Sequence, residues 1–142
     1  MGCGGPEARI DLDSPAALAA LPDCGPVPEG IDADVDGLVV PPGTLLTDVT
    51  ANGPITTISG YTPLTPIAIR QHYEQQSDLE VLVIEDEVFE AEALVSDGSH
   101  RTYVKANAVC ADGSRLLAIV APELEGDLLP VPDGVPDGPS GG

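Results

Sequence analysis

The chain has no tryptophan, one phenylalanine and three tyrosines, so it has no aromatic platform on which single-stranded nucleic acid could stack. It is poor in positive charge as well. Five Lys and Arg side chains face 24 Asp and Glu, and the formal net charge is −19. The basic residues are scattered, so the positive footprint that nucleic acid or an anionic lipid surface needs is missing. No apolar run is long enough for a membrane-spanning helix. The two histidines, His72 and His100, are far apart and neither neighbours a cysteine, which argues against zinc. There is no Gly-rich phosphate loop after a strand, and no GxSxG elbow around Ser99 or Ser114.

Proline and glycine are plentiful but unevenly spread. Residues 1–43 hold 14 of them, residues 122–142 hold 10, and the 78 residues between hold 7. Both residue types interrupt hydrogen-bond ladders. The composition therefore predicts an acidic arm over 1–43, a folded core over 44–121, and an acidic disordered linker or tail over 122–142.

Within the arm, Ser14-Pro15 before Ala16-Ala17-Leu18-Ala19-Ala20-Leu21 predicts a short helix, with Ser14 as N-cap and Pro15 at the first helical position. Strands are expected at Thr44–Val49, Ile55–Tyr61, Leu79–Ile84, Val88–Val95, Arg101–Cys110 and Arg115–Val120. Thr65-Pro66 repeats the helix-start signal and opens a helix to about Gln76, with Ile67, Ile69 and Tyr73 nearest the core. The fold class is α+β: an antiparallel sheet of five to six strands in chain order β-β-α-β-β-β-β, with one helix on one face.

Asp97-Gly98 and Asp112-Gly113 are tight-turn dipeptides. Centring the first turn on Asp97-Gly98 sets Phe89, Ala91 and Ala93 beside Ala106, Val104 and Thr102, with Glu90 opposite Lys105. Centring the second on Asp112-Gly113 turns Leu117 and Ile119 inward. Leu116, Ala118 and Val120 then point outward with Tyr103 and Val109. These five form a candidate interaction surface for a protein or small ligand, unless the arm, through Leu18 and Leu21, covers them.

Two further sets of residues invite chemistry. Asp32-Ala33-Asp34-Val35-Asp36-Gly37 matches the first half of a calcium loop, with Asp32, Asp34 and Asp36 as ligands. Gly43 stands where the closing bidentate Glu is expected, and Pro41-Pro42 forbids an exiting helix. Calcium is the one cofactor the sequence suggests. Glu85-Asp86-Glu87, with Glu90 and Glu92, is an acidic cluster. Read as a hairpin turn and an outer strand face, it is solvated and gives no cleft for paired-carboxylate catalysis. No catalytic residue is assigned, and the chain is read as a non-enzyme.

The opening Met1-Gly2-Cys3-Gly4-Gly5, followed by a polar stretch from Pro6, resembles a bacterial lipoprotein with Gly2-Cys3 as the end of its lipobox. The element order, and the run from Pro42-Gly43 through Gly60-Tyr61-Thr62-Pro63-Leu64-Thr65 to the helix, resembles the small α+β domains of bacterial surface lipoproteins. That resemblance implies acylation at Cys3, a place outside the cytoplasm or secretion, membrane contact only through the lipid anchor, and no transferred active site. With Cys3 assigned to lipid, Cys24 and Cys110 remain as an even pair, and a disulfide between them is expected in an oxidising compartment.

Overall fold

A computed structural model describes residues 16–132. A six-stranded antiparallel sheet is built from β1 (Leu45–Asn52), β2 (Ile55–Thr62), β3 (Glu80–Glu87), β4 (Glu90–Ser96), β5 (His100–Cys110) and β6 (Gly113–Pro122). In space the strands run β1-β2-β6-β5-β4-β3, which is not their order along the chain. The main helix, α2 (Pro66–Glu74), joins β2 to β3, and a single turn, α1 (Ala16–Ala19), precedes the sheet. Ser14 and Pro15, the expected cap of that turn, lie outside the described residues.

Helix α2 starts where Thr65 accepts the Ala68 amide at 3.2 Å, with Pro66 pre-set in its first turn. It buries Pro66, Ile69 and Tyr73. These pack with Ile58, Ala93, Val95, Val104, Ala106, Leu116, Ala118 and Val120 to form the core on the sheet's inner face.

The arm helps to close that core. Val35, Leu38, Val39 and Val40 pack against it. The buried Tyr73 hydroxyl donates to the Val39 carbonyl at 2.7 Å, and Thr102 donates to the Gly37 carbonyl at 3.3 Å. Gly37 makes the bend that admits this segment. Its φ is +80°, and a Cβ there would stand 2.2 Å from the His100 ring. The boundary expected near residue 43 is therefore crossed by structure, because an apolar Val-Leu-Val-Val run fills the inner face beside α2.

The tail boundary moves too. Residues 122–142 were expected to be unstructured, yet Glu123–Leu128 form a 3-10 helix and Leu129 is buried. Arg101 pairs with Glu123, and Ser96 donates to the same carboxylate at 2.6 Å. These hydrogen bonds, from Ser96 first and then Arg101, hold the Glu123 carboxyl below its usual range. Leu129 joins Leu94, Tyr103 and Ala121 on the outer face.

The turns differ from expectation in a consistent way. Asn52 pairs with Ile55, so glycine takes the first central position of the β1–β2 turn, with φ +62° at Gly53, and Ser96 pairs with Arg101, so the β4–β5 turn centres on Gly98-Ser99. Asp97 sits before its turn rather than in it. Its carboxylate accepts the Ser99 and His100 amides at 2.8 and 2.7 Å, and those bonds, His100 foremost, lower its pKa. The β4–β5 register consequently pairs Ala91 with Ala106 and Ala93 with Val104. That is a two-residue shift from the expected pairing, which leaves every side chain on its expected face. Glu92, not Glu90, lies opposite Lys105, and Glu90 reaches Lys105 diagonally at 3.5 Å.

The β5–β6 hairpin shifts by an odd number and so inverts a face. Its turn is Ala111-Asp112, and a bulge falls between Ala108 and Cys110. Ala106 pairs with Leu116, and Ala108 with Ser114. Leu116, Ala118 and Val120 therefore point inward, at 0%, 0% and 3% exposure, while Leu117 and Ile119 point outward.

Candidate functional site

Cys24 and Cys110 form a disulfide, with Cα atoms 5.0 Å apart across a separation of 86 residues. The bridge begins a strap over residues 22–31 that runs from the β5–β6 turn to the β1 edge. The Ala111 amide donates to the Pro22 carbonyl at 2.9 Å near its start, and the Ile31 amide donates to the Leu46 carbonyl at 2.7 Å at its end. In front of the strap, α1 packs Ala17 and Leu18 against Val88, Phe89 and Ala108. Val88 and Phe89 form the β3–β4 turn, an apolar turn because this segment lies on it.

Between the strap and the sheet lies an open groove. Pro28 forms one wall, and Thr47, Ser59, Tyr61, Val109 and Arg115 line the rest. Ser59 and Tyr61 on β2 alternate with the core residue Ile58, so they face outward. The β5 bulge turns Val109 outward, where it is 40% exposed. The β1 bulge between Leu46 and Asp48 places Thr47 on the opposite rim. The Tyr61 hydroxyl lies 3.7 Å from Cys110 Sγ, and a Cβ at Gly113 would stand 2.1 Å from that hydroxyl. Tyr61 is thus fixed beside the disulfide by the absence of a side chain at Gly113.

The expected interaction surface divides. Leu116, Ala118 and Val120 are core residues, because the odd register shift turns them inward. Tyr103 is on the outer face but only 5% exposed, and its hydroxyl donates to the Glu92 carboxylate. Val109 alone of the five opens onto the groove. Pro28, Tyr61 and Arg115 were missed. Strand alternation carries the signal for Tyr61 and Arg115, but Arg115 becomes legible only with the right β6 register.

Asp32, Asp34 and Asp36 are exposed along an extended segment whose intervening Ala33 and Val35 are partly buried. Asp34 and Asp36 border a second groove with His100 and Val120. Among the described residues no group of three or more His, Cys, Asp or Glu side chains is arranged to hold a metal ion. Cys3 lies outside the described residues.

The acidic cluster lies on the β3–β4 ladder, with Glu87 opposite Glu90 and Glu85 opposite Glu92, around a small recess. Glu85-Asp86-Glu87 belongs to β3 rather than to a turn. Lys105 answers Glu90, and Tyr103 answers Glu92. On the other face Asp86 pairs with Arg70, which also reaches Glu74 at 3.1 Å. Those two bonds, Asp86 foremost, raise the Arg70 pKa. Among the described residues no helix is long and apolar enough to cross a membrane. No family model, curated protein or solved structure matches the chain.

Proposed function

We propose that this chain is an exported, lipid-anchored binding domain that does no chemistry and takes a small ligand or a partner's side chain into the groove under its strap. The observation that carries this reading is the Cys24–Cys110 bridge beside the groove. A structural disulfide belongs to an oxidising compartment. The bridge also ties down one end of the strap that forms the groove wall, so the wall is held in place before any ligand arrives, which lowers the ordering cost of binding. Pro28, Tyr61 and Val109 supply apolar surface there, and Thr47, Ser59 and Arg115 supply polar groups, the mixture that ligand sites commonly present.

A small-molecule fragment screen read by amide NMR tests the binding role. Hits are expected to shift the amides of Tyr61, Val109 and Arg115, and Val109→Asp is expected to abolish them. Hits scattered over the surface, or the same hits on Val109→Asp, would count against the groove. Export and anchoring are tested separately by the intact mass of the protein recovered from membranes after expression with a bacterial lipoprotein signal. A diacylglyceryl adduct at Cys3 is expected, and an unmodified Cys3 would refute the anchor.

A further inference from the structure

Four basic side chains fall among the described residues, and three of them are paired. Arg70 pairs with Glu74 and Asp86, Arg101 with Glu123, and Lys105 with Glu90. Arg115 has no carboxylate partner among the described residues, although acids outnumber bases 24 to 5 in the chain. It is exposed and lines the groove.

Its surroundings on the sheet sharpen the point. Charge is segregated among strands β3 to β6 of the outer face. Glu85, Glu87, Glu90 and Glu92 occupy β3 and β4, whereas Arg101, Lys105 and Arg115 occupy β5 and β6. Directly across the ladders, Arg115 is flanked by Asn107 and Tyr61, neither of them acidic. Asp48 lies exposed across the ladder from the groove residue Ser59, so the favourable contact for an anion is at Arg115 itself rather than over the whole groove.

Resting on the binding role proposed above, we infer that the groove takes a small organic monocarboxylate with an apolar body. The Arg115 guanidinium offers the forked donors that match a carboxylate in two parallel hydrogen bonds. Thr47 and Ser59 add hydroxyls around it, and Pro28, Tyr61 and Val109 take the apolar part. A single anionic charge suits the site better than a polyanion, because there is one cation to meet it and the chain's large negative charge repels each further charge.

The test is an amide NMR titration of the full, oxidised chain with phenylbutyrate and with its neutral analogue phenylbutanamide, at physiological ionic strength. Phenylbutyrate is expected to bind saturably at Tyr61, Val109 and Arg115, about fivefold more tightly than the amide. Arg115→Gln should bring the two probes to equal affinity, and Arg115→Lys should keep part of the preference. The spectrum of each variant reports whether it is folded. Equal affinities on the parent protein, with shifts still in the groove, would overturn the carboxylate inference and leave the binding role standing. Shifts elsewhere, or none for either probe up to its solubility limit, would overturn the inference and count against the groove itself.

Discussion

Replacing Cys24 and Cys110 together by serine, in a Cys3→Ala background, removes the bridge without leaving a lone thiol. The bridge closes a loop across 86 residues. In the chain-entropy model a crosslink of that span stabilises the fold by about 4.6 kcal/mol at 25 °C, and native bridges in small secreted domains typically contribute about 2–5 kcal/mol. The strap's other contacts, the hydrogen bonds from Ala111 to Pro22 and from Ile31 to Leu46, do not involve the sulfurs and can still form, but they hold the strap less firmly alone. Most of the loss therefore comes from freedom regained by the unfolded chain. A domain of this size has about 5–15 kcal/mol in all, so the loss is a large share of it. Urea denaturation followed by circular dichroism is the assay, since no tryptophan is available as a reporter. The variant should unfold at a markedly lower urea midpoint, corresponding to a loss of about 2–4 kcal/mol in unfolding free energy. Amide exchange should quicken first at Ala111 and Ile31, with the core at Ile58 and Val104 still protected. A loss under about 1 kcal/mol, or unchanged exchange at both strap amides, would refute the reasoning.

Three further outcomes follow from the core and its titrating groups. Leu116→Ala should cost about 2–5 kcal/mol, because that side chain is fully buried, whereas Leu117→Ala on the outer face should cost clearly less; equal costs by denaturation would contradict the β6 register. Tyr73→Phe should cost about 1–3 kcal/mol by stranding the Val39 carbonyl. Desolvation raises the Tyr73 pKa well above the usual tyrosine value, so the unfolded chain ionises first and stability should fall as pH rises past about 10, a slope that the Phe variant should lack. Burial lowers the His72 pKa, and its Nε2 is buried without a partner, so the unfolded chain takes up that proton first. Stability should drop as pH falls below about 6.5, and His72→Gln should flatten that part of the profile.

Much of the fold was legible where a local signal had one physical outcome. Thr65-Pro66 can cap and start a helix but suits little else, and it does so. The β-branched runs became strands of the antiparallel sheet. The Asp-Gly dipeptides marked turns correctly but not their centres. An Asp can stand inside a turn or just before it with its carboxylate on the turn amides, and Asp97 takes the second course. At β4–β5 the resulting shift was even and harmless. At β5–β6 the turn centre moved and a bulge added one residue at Val109, so the shift was odd and the candidate surface inverted. A bulge has no reliable composition signal, because it is set by what packs around it. The site was legible only in pieces. Cysteine arithmetic gave the bridge, but the groove exists because a strap, two bulges and an outward Arg115 meet, and those meetings are tertiary.

The most direct measurement of the central claim is the fragment screen repeated on the oxidised parent and on the Cys24→Ser/Cys110→Ser variant, with both proteins shown to be folded. If the strap is a wall held for binding, groove hits on the parent should weaken or vanish when the bridge is absent, while hits elsewhere stay unchanged. Equal binding at Tyr61, Val109 and Arg115 in both proteins would show that the bridge does not serve the groove, and would contradict the account.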